Sequence, residues 1–175
     1  MFTLRCTRKL LKFLDVEPVE EPEPPTGALG DWYANLIPTC AGDLIIFVNE
    51  RSLITVAVPA WEAEHLIPLF RLRVKNLFTG MGLARGVIER ELGHLAPVQF
   101  AKTASRSILG CMNDMAWHYQ IRAEEAQAKG DLRLSPVELR LSQMPFSPLD
   151  YRFPTDVAEE LLMECYGGES SATYP

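Results

Sequence analysis

The chain has 175 residues, of which 47% are hydrophobic, and a formal net charge of −6. That length and apolar content suit one globular domain with a buried core, spanning residues 1–166. The longest apolar runs, such as Leu53–Trp61, fall far short of the roughly 20 residues that a membrane helix needs, so no membrane is expected as a partner.

The opening segment, MFTLRCTRKLLKFL, scatters its basic residues among apolar ones and does not read as a signal peptide. Phe2–Cys6 predicts a strand. Thr7 then caps a helix from Arg8 to about Leu14, with Leu10, Leu11 and Leu14 as its buried stripe. The next segment, residues 15–27, alternates Pro and Glu. It holds Asp15, Glu17, Glu20, Glu21 and Glu23 without one Lys or Arg, so most of the acidic excess belongs to a single loop. With almost nothing to bury, it reads as a mobile, polyproline-like connector.

Leu29–Pro38 is compatible with a strand or with a short helical turn capped at Gly30-Asp31. Trp32, Tyr33 and Asn35 within it suit either packing against the next element or a ligand contact. That next element is the clearest signal in the chain. Leu44–Val48 and Leu53–Val58 are rich in β-branched and aromatic residues, and Asn49-Glu50-Arg51-Ser52 between them is short and polar, predicting a β-hairpin.

Apolar residues at Trp61, Leu66, Leu69, Phe70, Val74, Leu77 and Phe78 predict an amphipathic helix over 61–79, bent or started late at Pro68. A second helix is expected over Leu83–Leu92, stopped by Gly93, with both helices on one face of the sheet. Pro97–Thr103 alternates as a strand and leads into a long helix over 106–129, whose core stripe is Ile108, Met112, Met115 and Tyr119. Val137–Leu141 alternates again and is read as a strand. Asp156–Tyr166 is expected as the last helix, and residues 167–175 as a flexible tail.

These elements amount to an α+β fold: a mixed, mostly antiparallel sheet built around the hairpin at 44–58 and packed against helices at 61–79 and 106–129. Chemistry is harder to find. The chain lacks a GxSxG elbow, a Walker A loop and a GxGxxG turn. Cys6, Cys40, Cys111 and Cys165 have no CxxC or CxH spacing, which suits free thiols in a reducing cytoplasm, and no metal or cofactor is expected. The best local candidate is the strand-to-helix junction at 103–114, where Arg106, Gly110, Asn113 and Trp117 share one helical stripe and Ser107 and Asp114 flank it. A helix start with an Arg and hydroxyl groups is one way to bind an anion. The same residues equally serve as caps and loop ties. Asp114 and His118, four apart, form either an Asp–His pair able to act as a general base or an ordinary helix-surface contact.

LRCTRKLLKFL, LGDWYANL (Leu29–Leu36), FVNERSL (Phe47–Leu53), TASRSILGCMNDM (Thr103–Met115) and YRFP (Tyr151–Pro154) together resemble a family of small bacterial proteins described as a domain of unknown function. The resemblance covers the chain apart from the acidic connector and the tail. Ser105 stands where the family pattern has Asn. The resemblance implies a self-contained α+β domain of bacterial cytoplasmic origin, and it implies no reaction. It directs attention to Asp31, Trp32, Asn35, Asn49, Glu50, Arg106, Ser107, Asn113 and Asp114.

Three functions fit these observations. The favoured one is a non-enzymatic module that binds or regulates another protein. Nucleic-acid association through Arg8, Lys9, Lys12 or Arg106 is possible but not favoured, because basic helix faces are commonly just solvated. A small hydrolase or transferase centred on the 103–114 junction is the third.

Overall fold

The computed structural model describes residues 1–129 and 133–167, so the expected tail lies almost wholly outside the described residues. Five strands form one mixed sheet: β1 (Phe2–Cys6), β2 (Trp32–Ile37), β3 (Leu44–Asn49), β4 (Thr55–Pro59) and β5 (Val98–Lys102). Six α-helices accompany them: α1 (Arg8–Leu14), α2 (Leu66–Gly80), α3 (Arg85–His94), α4 (Arg106–Lys129), α5 (Leu134–Leu141) and α6 (Pro154–Tyr166). The fold is α+β, as the residue patterns predict. None of these described helices is long and apolar enough to cross a membrane.

The strand order is β4-β3-β2-β1-β5. The hairpin β3–β4 is antiparallel, with Ile46 opposite Ala57, and β2 joins it antiparallel, with Asn35 opposite Ile46. β1 pairs parallel with both β2 and β5. The sheet is therefore mixed, with parallel and antiparallel pairings in equal number. The hairpin occupies one side of it, and the central strand is β2. Leu29–Pro38, ambiguous as a sequence, resolves as that strand, because only in the sheet can both faces of WYANLI be covered.

Helices cover both faces, which explains why LIIFVN in β3 is buried throughout and shows no polar alternation. On one face Phe2, Leu4, Trp32, Phe47 and Val56 meet Leu10, Phe70, Val74, Phe78, Ile88 and Leu162 of the covering helices. Phe70 of α2 lies at its centre. Its ring centroid is 4.5 Å from that of Phe47, 5.0 Å from Trp32 and 5.7 Å from Phe2, so one side chain touches three strands. On the other face Tyr33, Ile46, Val48 and Ala57 pack on the Ile108, Met112, Met115 and Tyr119 stripe of α4 and on Leu134 and Leu141 of α5. Leu53 has a left-handed backbone, φ 60°, unusual for a branched side chain, and its burial in this second core offsets the strain.

Three helical assignments differ from the sequence reading. A 3-10 turn, Ala60–His65, precedes α2, and Pro68 falls in the first turn of α2, where its missing N–H costs no helical bond. Gly93 does not stop α3, which runs on to His94. Val137–Leu141 is not a strand: it is the body of α5. Val-Glu-Leu-Arg-Leu satisfies a period of two, but Leu134, Glu138 and Leu141 recur at helical spacing and form the buried face. Pro136 sits in the first turn, where a helix tolerates it.

Both edges of the sheet are closed. α5 lies along β4, and Glu138, 1% exposed, accepts the Ala57 N–H at 2.8 Å and both arms of Arg73 at 3.0 and 2.6 Å. Ser142 Oγ accepts the Thr55 N–H at 3.4 Å. Along the other edge runs the acidic connector. Val19 bridges Ala101 and donates its N–H to the Phe100 carbonyl at 2.8 Å, and the Glu23 N–H reaches Gln99 Oε1 at 3.2 Å. A segment expected as a free connector is laid against β5, shielding an edge that would otherwise present open backbone groups.

Glu138 joins α2, α5 and β4, and its removal leaves the buried Ala57 N–H and the Arg73 guanidinium unmatched. Glu138→Ala is expected to cost about 3–5 kcal/mol in urea unfolding. The double variant Glu138→Leu/Arg73→Met, which removes both charges, should recover most of that loss.

Candidate functional site

The polar residues singled out from the sequence fall into two groups, separated by burial. Asn49 is fully buried at the hairpin turn. Its Oδ1 accepts the N–H groups of Arg51 at 3.1 Å and Ser52 at 2.9 Å and the Ser52 hydroxyl at 2.8 Å. Its Nδ2 donates to the carbonyls of Leu29 at 3.0 Å and Asp31 at 3.2 Å. An Asn amide offers two donors and two acceptor lone pairs, and here both ends are in use. Asp31, 3% exposed, accepts the Thr3 N–H at 3.0 Å through one oxygen and pairs with Arg5 at 3.1 Å through the other. Trp32 is buried edge-on to Phe70. Asn35 accepts the hydroxyl of Thr7, the N-cap of α1, at 2.8 Å. Glu50 is half-buried, and its backbone N–H donates to the Asp31 carbonyl at 3.0 Å.

Arg106, Ser107, Asn113 and Asp114 form the second group, and all four are exposed along α4. The capping role at this junction belongs to Ser105, whose hydroxyl accepts the Ile108 N–H at 3.3 Å. One side chain links the two groups. Tyr33, buried on the α4 face of the sheet, has its hydroxyl within electrostatic reach of Glu50 and Arg5 and of the backbone amides of Ala104 and Ser105. Burial pushes its pKa up and Glu50 adds to this, against the opposing pull of Arg5 and the two amides. Tyr33 itself packs in the second core with Ile108 and Met112 of α4. Asp114 and His118 form no ion pair, and the His118 ring instead meets Trp117 edge-on at 5.1 Å. Among the described residues, no group of three or more His, Cys, Asp or Glu side chains is placed to hold a metal ion.

The outer side of α4 has a different character. Trp117 is 59% exposed and lines three adjoining grooves. The first, about 400 Å³, lies between α4 and α5. The second, about 490 Å³, runs past Cys111, Asp114 and His118 to the 145–151 turn, where Tyr151 is 72% exposed. The third, about 470 Å³, reaches the loop at Pro38, Thr39 and Cys40. Trp117 was visible in the sequence as part of the helical stripe. Arg140, Met144 and Tyr151 were not, because they reach this surface only once α5 is a helix and the following turn folds back under α4.

Other buried acids also escaped the sequence reading. Glu91 of α3, 1% exposed, accepts the N–H groups of Ala28 at 2.9 Å and Leu29 at 3.1 Å and the Tyr166 hydroxyl at 2.7 Å. In sequence it is one of several acids on a helix, with no local cue to its burial.

Over residues 3–157 the chain matches the family described as Domain of unknown function (DUF6933), and it belongs to that family. No curated protein and no solved structure matches it.

The two groups of polar residues should respond differently to truncation. Asn49→Ala removes five hydrogen bonds from a buried turn and is expected to cost about 3 kcal/mol in chemical unfolding, whereas Arg106→Ala and Asn113→Ala should stay within about 0.5 kcal/mol of the parent. The thiols divide in the same way. Cys6 is buried and its thiol pushed up to about 12, and Cys111 is buried with its thiol raised by burial and by Asp114. Ellman's reagent at pH 8 should therefore titrate Cys40 and Cys165 rapidly in the folded protein and the other two only on unfolding.

Proposed function

We propose that this protein is a non-enzymatic protein-binding module, and that it docks its partner on the outer side of α4 with α5 and the 145–151 turn. The observation that carries the reading is the exposure of Trp117 at the meeting point of three grooves. A tryptophan left in water forgoes a large apolar contribution, and such residues are the commonest energetic anchors of protein interfaces. Tyr151 adds a second exposed ring beside the same surface. The disposition of the polar residues favours binding over chemistry. Asp31 and Asn49 are engaged with backbone groups, and Arg106, Ser107 and Asn113 are spread along an exposed helix face. We take residues 1–166 as one domain, since both cores are built on the same sheet. Four free thiols suit a cytoplasmic setting.

A displayed random peptide library, selected against the immobilised protein and counter-selected against Trp117→Ala, tests the proposal. Enrichment of a shared sequence pattern that binds the parent and loses at least tenfold in affinity to Trp117→Ala is expected. Peptides that bind both proteins equally, or no enrichment at all, would overturn it. Trp117→Ala should melt within a few degrees of the parent, because the side chain it removes is largely solvated.

A further inference from the structure

The groove between α4 and α5 has a charge character opposite to that of the chain as a whole. Its apolar lining comes from Ile121, Val137, Leu141 and Met144, with Arg122 and Arg140 beside them and Trp117 and His118 completing the wall. Among the described residues no Asp or Glu lines it, on a chain whose net charge is −6. The two arginines are not equivalent. Arg122 is committed to Glu125, one turn along α4, at 2.5 Å. Arg140 is exposed at the end of α5 and makes no ion pair among the described residues.

We infer that the occupant of this groove is an acidic-hydrophobic peptide segment of a partner protein, one that places an apolar side chain on the Val137–Leu141–Met144 floor and a carboxylate against Arg140. The inference rests on the docking face proposed above and specifies its ligand. Three features argue for it. The floor is apolar and about 400 Å³ in volume, within the roughly 300–1,000 Å³ typical of ligand pockets, which leaves room for a few side chains and not for a folded element. The guanidinium of Arg140 presents a planar fork of donors that matches a carboxylate, and among the described residues it has no carboxylate to displace. Trp117 offers a flat face at the end of the slot, able to cover the apolar side chain and exclude water from the ion pair. A nucleic-acid strand is a poorer match, because tracking a phosphate backbone takes several uncommitted cations in a row and this groove has one.

The test uses the full chain and the peptides recovered by display. The consensus is synthesised as a fluorescein-labelled peptide, alongside a counterpart with each Asp or Glu changed to Asn or Gln, and both are titrated by fluorescence anisotropy against the parent, Arg140→Glu and Arg106→Ala. An acidic position next to an apolar one is expected in the consensus. Neutralising it, or reversing the charge in Arg140→Glu, should weaken binding at least tenfold, and Arg106→Ala, on the same helix outside the groove, should leave it unchanged. Trp117-dependent peptides with no acidic position, or binding indifferent to Arg140→Glu, would overturn this inference while leaving the docking face intact. Absence of any Trp117-dependent peptide would overturn both. Binding of a labelled single-stranded oligonucleotide that is lost in Arg140→Glu would overturn the peptide assignment in favour of nucleic acid.

Discussion

The Asn49 side chain ties the hairpin turn to the segment that leads into β2, and the arrangement of the sheet depends on that tie. By accepting from Arg51 and Ser52 and donating to the carbonyls of Leu29 and Asp31, it holds β3 and β2 in the register that places Tyr33 opposite Val48. The same register carries Asp31 to Thr3, where its carboxylate takes a backbone N–H and the Arg5 guanidinium. Two neighbouring polar side chains thereby connect β1, β2 and β3.

Buried acceptors recur wherever the backbone leaves the regular hydrogen-bonding pattern. Glu91 takes the amides of Ala28 and Leu29 just ahead of β2, and Glu138 takes that of Ala57 on the edge strand. An unpaired buried N–H costs roughly 1–3 kcal/mol, so each of these side chains removes a penalty comparable with a sizeable fraction of the stability of a small protein. Their burial is also the physical reason that catalysis is hard to read from them. Glu91 is held by two amides and the Tyr166 hydroxyl, and Glu138 by one amide and the Arg73 guanidinium, partners that tie each carboxylate to the fold.

While these interior acceptors are engaged with the fold, α4 leaves a large apolar side chain exposed on its outer side. Its inner stripe is packed into the second core through Ile108, Met112, Met115 and Tyr119. Its outer side leaves Trp117 in water, beside an α5 whose own inner face is occupied with closing the sheet edge. The elements that form the grooves are therefore packed on their other sides against the sheet.

Local patterns in the sequence determined the element types over most of the chain: the hairpin from β-branched runs flanking Asn49–Ser52, α4 from the recurrence at Ile108, Met112 and Met115, and α1 from Thr7 and its leucines. They also picked out Asp31 and Asn49 as unusual polar residues, though not their purpose, because whether a carboxylate meets an amide or a substrate depends on residues far away in the chain. Tertiary structure alone decided that Val137–Leu141 is a helix, since these residues alternate as a strand would while Leu134, Glu138 and Leu141 fit helical spacing, and only burial against β4 separates the two. It also decided that β2 lies at the centre of the sheet, that the acidic connector shields β5, and that Arg140 and Tyr151 come to lie around Trp117. Sequence periodicity reports which face of an element is apolar; which element that face meets is set by packing among residues distant along the chain.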